Sequence, residues 1–178
     1  MAAGTASEIA FTALVALVAV ERLAELVVAR RHLRWLLSAG GVEYGRAHYP
    51  PMVLLHAGLL VGALAEVWLG GRAFVPLVGY PALALTIGAQ ALRWWCIAAL
   101  GRRWTTRVVV LPGLARVSGG PYRWLRHPNY LAVVVEGIAL PLVHTAWVTA
   151  LLFTIANAAL LRVRIRTEDA ALAAASAR

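Results

Sequence analysis

Apolar residues in this chain come in long blocks, each closed by Arg, Gly or Pro, with no strand-like alternation over the length of a barrel strand. The blocks fall at about residues 9–29, 51–69, 74–100, 130–145 and 146–163. A helix that crosses a bilayer needs about 20 such residues. The pattern therefore predicts an all-α integral membrane protein with five transmembrane helices. The last two blocks are short and nearly continuous. Pro141 at their junction predicts a tight reversal over residues 141–146, which makes them a C-terminal helical hairpin. Repeats and heptads are absent, and only the Ala-rich tail at 170–177 is of low complexity.

The charges between the blocks give an orientation. Arg30, Arg31, Arg34 and Arg46 follow the first block, and Arg72 alone separates the second from the third. Arg102, Arg103, Arg107, Arg116, Arg123 and Arg126 follow the third, and Arg162, Arg164, Arg166 and Arg178 close the chain. Arginine-rich loops stay on the cytoplasmic side. The expected topology is a multi-pass plasma-membrane protein with its N-terminus outside and its C-terminus and both large basic segments in the cytoplasm.

Composition agrees: 61% of residues are hydrophobic, 14% are charged, and the mean hydropathy is +0.74, all outside the soluble range. At 178 residues the chain is expected to form one domain, 1–178. The net charge of +9 sits in loops between apolar blocks, so no nucleic-acid partner is expected. Every basic residue is Arg, which codon bias in a GC-rich genome produces without chemical need. Residues 1–8 lack Lys and Arg, so the first block is expected to be retained and not cleaved as a signal peptide. The single Cys96, between Trp95 and Ile97, reads as an inert packing residue.

The segment 101–129 is too rich in aromatics, Arg, Gly and Pro for a linker. It ends in Arg126-His127-Pro128-Asn129-Tyr130, which runs into the fourth block with Pro128 suited to the first turn of a helix. Free backbone N–H groups and the positive end of a helix dipole there suit an anion. Tyr122, Trp124 and Tyr130 offer faces to a planar ring or a cation, or simply form an interfacial aromatic belt. Beyond the hairpin, Arg164 and Glu168 stand at i and i+4, the spacing of an exposed ion pair. Their location argues for more, because both leave the hairpin on the side where the Arg-His-Pro-Asn-Tyr segment joins it.

Arg126-His127-Pro128-Asn129-Tyr130, an apolar hairpin, then Arg164-Ile165 with Glu168-Asp169 and Leu172 together resemble the isoprenylcysteine carboxyl methyltransferase family. The likeness is strong over the second half of the chain. Leu92-Arg93-Trp94-Trp95, Leu100-Gly101 and Arg103-Trp104-Thr105 extend it upstream. Glu43-Tyr44-Gly45, His48-Tyr49-Pro50 and Leu55-His56 resemble a bacterial branch whose members O-methylate alkylpyrone-like products. The resemblance implies an S-adenosylmethionine-dependent methyltransferase with a cytoplasmic cofactor-binding loop. It implies that Tyr122, His127, Pro128, Asn129, Tyr130 and Glu168 bind the cofactor, with Leu114, Ala115, Arg116 and Val117 beside it. Arg164 is the implied catalytic residue, facing an acceptor that is either an isoprenylcysteine-type carboxylate or a long-chain enol or phenol drawn from membrane lipid. The family usually continues past Leu172 with a Gly, paired tyrosines and a further apolar stretch, whereas this sequence stops at Arg178.

Glu8, Glu21, Arg22, Glu25, Glu66, Gln90 and Arg93 interrupt apolar blocks, and a charge near a helix centre costs about 2.5 to 3.5 kcal/mol on insertion scales. They must pair or face a cavity. Mutual pairing of Glu21 and Glu25 with Arg22 or Arg93 is the expected reading, and a proton relay is the alternative. His48 and His56 lack a third ligand at useful spacing, so no metal site is expected. Two rival functions stand beside the methyltransferase: a membrane reductase using NADPH, and a non-enzymatic small transporter subunit whose internal charges line a pathway.

Overall fold

Among the described residues, proline opens three of the five α-helices. The computed structural model describes residues 2–114 and 116–176. In it, α1 (Ala2–Ser38) is followed by α2 (Tyr49–Gly70), α3 (Pro76–Leu100), α4 (Pro128–Leu142) and α5 (Trp147–Ser176). The prolines at the starts of α2, α3 and α4 sit where a missing N–H removes no helical bond. Gly71 and Gly101 follow the ends of α2 and α3, each with positive φ and its N–H on the carbonyl four residues back.

Each predicted block matches one helix to within three residues at the ends that it overruns, but the helices are not equivalent. Among the described residues, Arg46–Gly70, Pro76–Arg103 and Trp147–Ala175 are long and apolar enough to cross a membrane. The 15 residues of α4 rise only about 22 Å, against a hydrocarbon core of about 30 Å. The 37-residue α1 is long enough but carries several charges. Outward-facing Leu54, Leu69, Leu77 and Ile87 are exposed, as befits a surface that meets lipid.

The reversal at residues 143–146 is as tight as the sequence predicts. The Ala146 N–H donates to the Pro141 carbonyl at 3.0 Å, and Thr145 adopts positive φ with its hydroxyl donating to the Ala73 carbonyl at 2.7 Å. From α2, Glu66 caps α5: its carboxylate accepts the Val148 and Thr149 N–H groups at 3.1 and 2.7 Å and pairs with Arg72 at 2.9 Å. That accounts for one of the charges inside an apolar block.

Most of the others form one network. Arg22 pairs with Glu25 at 2.6 Å and Arg93 with Glu136 at 2.5 Å, and the Gln90 amide and Trp94 indole both donate to Glu21. The network links α1 to α3, as the pairing reading expected, and reaches α4 through Glu136. Glu136 was not foreseen as a member.

Two features had no counterpart in the sequence reading. The strands β1 (Val42–Tyr44) and β2 (Val108–Val110) pair antiparallel, with Glu43 opposite Val109. Glu43 bonds Arg46 and Arg107 at 2.9 and 2.8 Å, so a buried carboxylate ties the ribbon together.

The core is built from small residues. Ala63, Val67, Leu140 and Ala146 are fully buried among α2, α4 and the reversal, with Phe11, Val15 and Val18 of α1 against them. Close approach is tightest at Gly137, where a Cβ would lie 2.0 Å from the Phe153 ring of α5. Gly137→Ala should therefore lower stability by about 1 to 3 kcal/mol through overpacking. Gly88→Ala, whose Cβ would meet nothing within 4 Å, should leave stability unchanged or raise it. Thermal unfolding of the two variants in one detergent checks the contrast.

Candidate functional site

The loop between α3 and α4 folds back under the bundle because its glycine fits where no other residue does. Gly120 has positive φ, and a Cβ on it would lie 2.9 Å from Ala99 of α3. This contact seats Pro121, fully buried, and turns Tyr122 inward against Cys96, which is itself buried as a packing residue. Burial pushes the Tyr122 hydroxyl well above the ordinary phenol range, so it stays a neutral donor.

At the start of α4, the Tyr130 and Leu131 N–H groups close on the His127 carbonyl at 3.1 and 3.3 Å. The helix end therefore presents fewer free donors than its sequence implied. The His127 and Tyr130 rings stack with centroids 5.4 Å apart. Glu168 comes across from α5 to accept a hydrogen bond from the Tyr130 hydroxyl, and its other oxygen lies 3.9 Å from His127 Nδ1. Next to it, Asp169 pairs with Arg126 at 3.0 Å and approaches His127 Nε2 at 3.2 Å, out of line for a hydrogen bond.

Arg164 is buried one turn back on α5. Its Nε donates to the Tyr130 hydroxyl at 3.0 Å, its Nη2 to the Thr106 carbonyl at 2.5 Å, and its Nη1 approaches Met52 Sδ of α2 at 3.1 Å. Arg164 and Glu168 thus meet through a shared tyrosine, which is a different arrangement from the exposed ion pair that spacing alone favoured.

Two cavities adjoin here. The first, of about 180 Å³, lies between the α3–α4 loop, β2 and the last turns of α5. Leu114, Arg116, Val117, Tyr122, His127, Asn129, Tyr130, Arg164 and Glu168 all line it. Pro128 does not: it is fully buried in the first turn of α4, where its part is to start the helix. Ala115 lies outside the described residues. The second cavity, of about 350 Å³, runs among the helices and is walled by Leu23, Leu26, Val53, Leu60, Val133, Leu160 and Leu161. Trp104, Thr105, Asn129, Tyr130 and Arg164 line both. Sequence reasoning assigned no role to Trp104 or Thr105, although both stand in the stretch that carried the resemblance.

The model of the isoprenylcysteine carboxyl methyltransferase (ICMT) family matches residues 82–174, which takes in α3 from Ala82, the loop, α4 and nearly all of α5. The chain belongs to this family. It is a family of membrane methyltransferases, and the matched region holds every wall of the smaller cavity except Leu36. The chain is also 40% identical over 163 residues to the uncharacterized protein YpbQ of Bacillus subtilis, covering 91% of this chain and 96% of that one. A second relative, an uncharacterized protein of Haemophilus influenzae, is 29% identical over 154 residues, covering 85% and 88%. These likenesses extend well beyond the ICMT match and so include much of α1 and α2.

Tyr130→Phe removes the hydroxyl shared by Arg164 and Glu168 and leaves a buried guanidinium short of an acceptor. It should cost about 1 to 3 kcal/mol of stability, measured by thermal unfolding, with helix content unchanged by circular dichroism.

Proposed function

We propose that this ICMT-family protein is an S-adenosylmethionine-dependent O-methyltransferase that acts on a lipophilic acceptor at the cytoplasmic face of the membrane. The observation that carries the reading is the shared wall: the smaller, more polar cavity at the end of the bundle and the larger apolar cavity inside it meet at Arg164, Tyr130 and Asn129. Methyl transfer needs such a junction, because a water-soluble donor and a lipid-soluble acceptor must touch at one point with water excluded.

The polar cavity suits the donor. Two buried polar atoms of residues that line it, Trp104 Nε1 and Asn129 Oδ1, have no hydrogen-bond partner, the condition expected of a wall that a ligand completes. Tyr122, His127, Asn129, Tyr130 and Glu168 would hold the cofactor, with Leu114, Arg116 and Val117 along its edge. The carboxylate of Glu168 and the stacked rings of His127 and Tyr130 favour a cation beside them. When bound, S-adenosylmethionine supplies an electrophilic methyl carbon on a sulfonium.

The chain's own residues then have little covalent work to do. Arg164 holds an anionic acceptor oxygen at the junction, and the apolar walls around it exclude water. Proximity and orientation of this kind contribute about 7 to 11 kcal/mol. An acceptor carboxylate needs no base. For an enol or phenol, His127 takes the proton. In this reading α1 and α4 join the three long apolar helices as five membrane segments, and the arginine-rich loops place the site in the cytoplasm.

Purified full-length protein should bind radiolabelled S-adenosylmethionine saturably at micromolar concentrations and transfer label into a membrane lipid extract, and NADPH should not substitute. Absence of saturable binding counts directly against the reading. Arg164→Ala should lower turnover about 100-fold, the penalty of a misplaced acceptor, while cofactor affinity changes little. Equal loss of both would make Arg164 a structural residue.

A further inference from the structure

The apolar cavity does not have an apolar floor. Arg22, Glu25 and Arg93 line it, away from the junction with the smaller cavity. Glu136, paired with Arg93, is six residues beyond Tyr130 on α4, which places this cluster about 9 Å deeper along the helix axis. The side chains of Glu25 and Arg93 are more than nine-tenths buried.

A cluster that served only to join helices could be replaced by apolar packing at no loss, because removing two charges from water roughly offsets their attraction. This one is also incompletely bonded. Arg22 Nε, Arg93 Nε and Glu25 Oε1 have no hydrogen-bond partner, although Arg93 Nε and Glu25 Oε1 lie 3.8 Å apart as an ion pair. Two N–H donors and one carboxylate oxygen thus lack a hydrogen bond in side chains that line the cavity. His56, on the same wall, is bonded through Nδ1 to the Met52 carbonyl at 2.8 Å. A carbonyl can only accept, so the His56 proton is on Nδ1 and Nε2 is a further acceptor.

An anion does not suit this floor, since Glu21, Glu25 and Glu136 already outnumber Arg22 and Arg93. A bare hydrocarbon chain does not suit it either, since it would leave both donors and the acceptor unmet. A neutral group that donates and accepts at once fits, and a hydroxyl is the simplest.

We infer that the acceptor bound in the apolar cavity carries two oxygen functions, one methylated at Arg164 and a second, neutral hydroxyl part-way along its chain that bonds to Arg22, Glu25 and Arg93. This rests on the methyltransferase reading for the first function only; recognition of the second is a matter of binding. The acceptor is then a hydroxylated long-chain molecule and not a plain isoprenoid or alkyl tail.

The test uses full-length protein in nanodiscs, with hexadecanoic acid and its isomers bearing one hydroxyl near the carboxylate, in mid-chain or at the far end. Binding is read from tryptophan fluorescence, since Trp104 lines both cavities. Radiolabelled S-adenosylmethionine binding is measured on the same preparation. A mid-chain hydroxyl should tighten binding about tenfold or more over hexadecanoic acid, as bonds to charged groups allow. In Arg22→Met protein that still binds S-adenosylmethionine, the preference should collapse. Equal binding across the series, binding of no member, or a preference that survives Arg22→Met overturns the inference. Loss of S-adenosylmethionine binding in the wild type instead overturns the methyltransferase reading, and leaves the hydroxyl preference as a separate result.

Discussion

A guanidinium enclosed by apolar helices has to have its donors met from within the protein, and the way Arg164 is met organises everything near it. Its partners come from three other parts of the chain: Met52 on α2, the Thr106 carbonyl in the α3–α4 loop, and the Tyr130 hydroxyl on α4. Glu168, one turn along α5, shares the same hydroxyl. One charge therefore draws the loop and the two ends of the hairpin onto a single point. Arg164 and Tyr130 also stand in the wall that the two cavities share, with Trp104, Thr105 and Asn129.

The remaining internal charges follow the same rule with different results. Glu66 is satisfied by the first N–H groups of α5 and by Arg72, which fixes how the hairpin begins and leaves nothing over for a ligand. Glu43, with Arg46 and Arg107, holds the short ribbon whose second strand edges the polar cavity. The cluster of Arg22, Glu25, Arg93 and Glu136 pairs off its charges but leaves donors and an acceptor beside an apolar space. Glu66 and Glu43, with all their partners inside the protein, hold the frame, whereas the Arg22 and Arg93 cluster leaves atoms without a hydrogen bond.

Much of this was legible in the sequence because it depends on local pattern. Apolar block length gave the helices, Pro141 gave the reversal, and the likeness around Arg126-His127-Pro128-Asn129-Tyr130 and Arg164 gave residues that do face one cavity. What was missed depends on pairings distant in sequence. Three-residue strands carry no periodic signal, so the partnership of Val42–Tyr44 with Val108–Val110 had only the valine run as a hint. Glu136 reads as one acid in an apolar helix until Arg93, 43 positions away, is placed against it. Trp104 carries no sequence signal beyond its place in the family-like stretch, although it is buried between two cavities. Pro128 was grouped with its neighbours, yet a side chain at the first position of a helix packs into the turn and does not line the cleft. The five-span expectation treated all blocks alike, whereas three helices are long and apolar enough to cross a membrane, α4 is shorter and α1 carries more charges.

The central claim is that the loop and both ends of the final hairpin close on one S-adenosylmethionine molecule beside the apolar cavity. Hydrogen–deuterium exchange of the full-length protein with and without S-adenosylmethionine tests it most directly. The account predicts joint protection of residues 103–117, 122–131 and 164–172, with the turn at 71–75 unchanged. Protection confined to one of these segments, or found instead at the opposite end of the bundle, would contradict it.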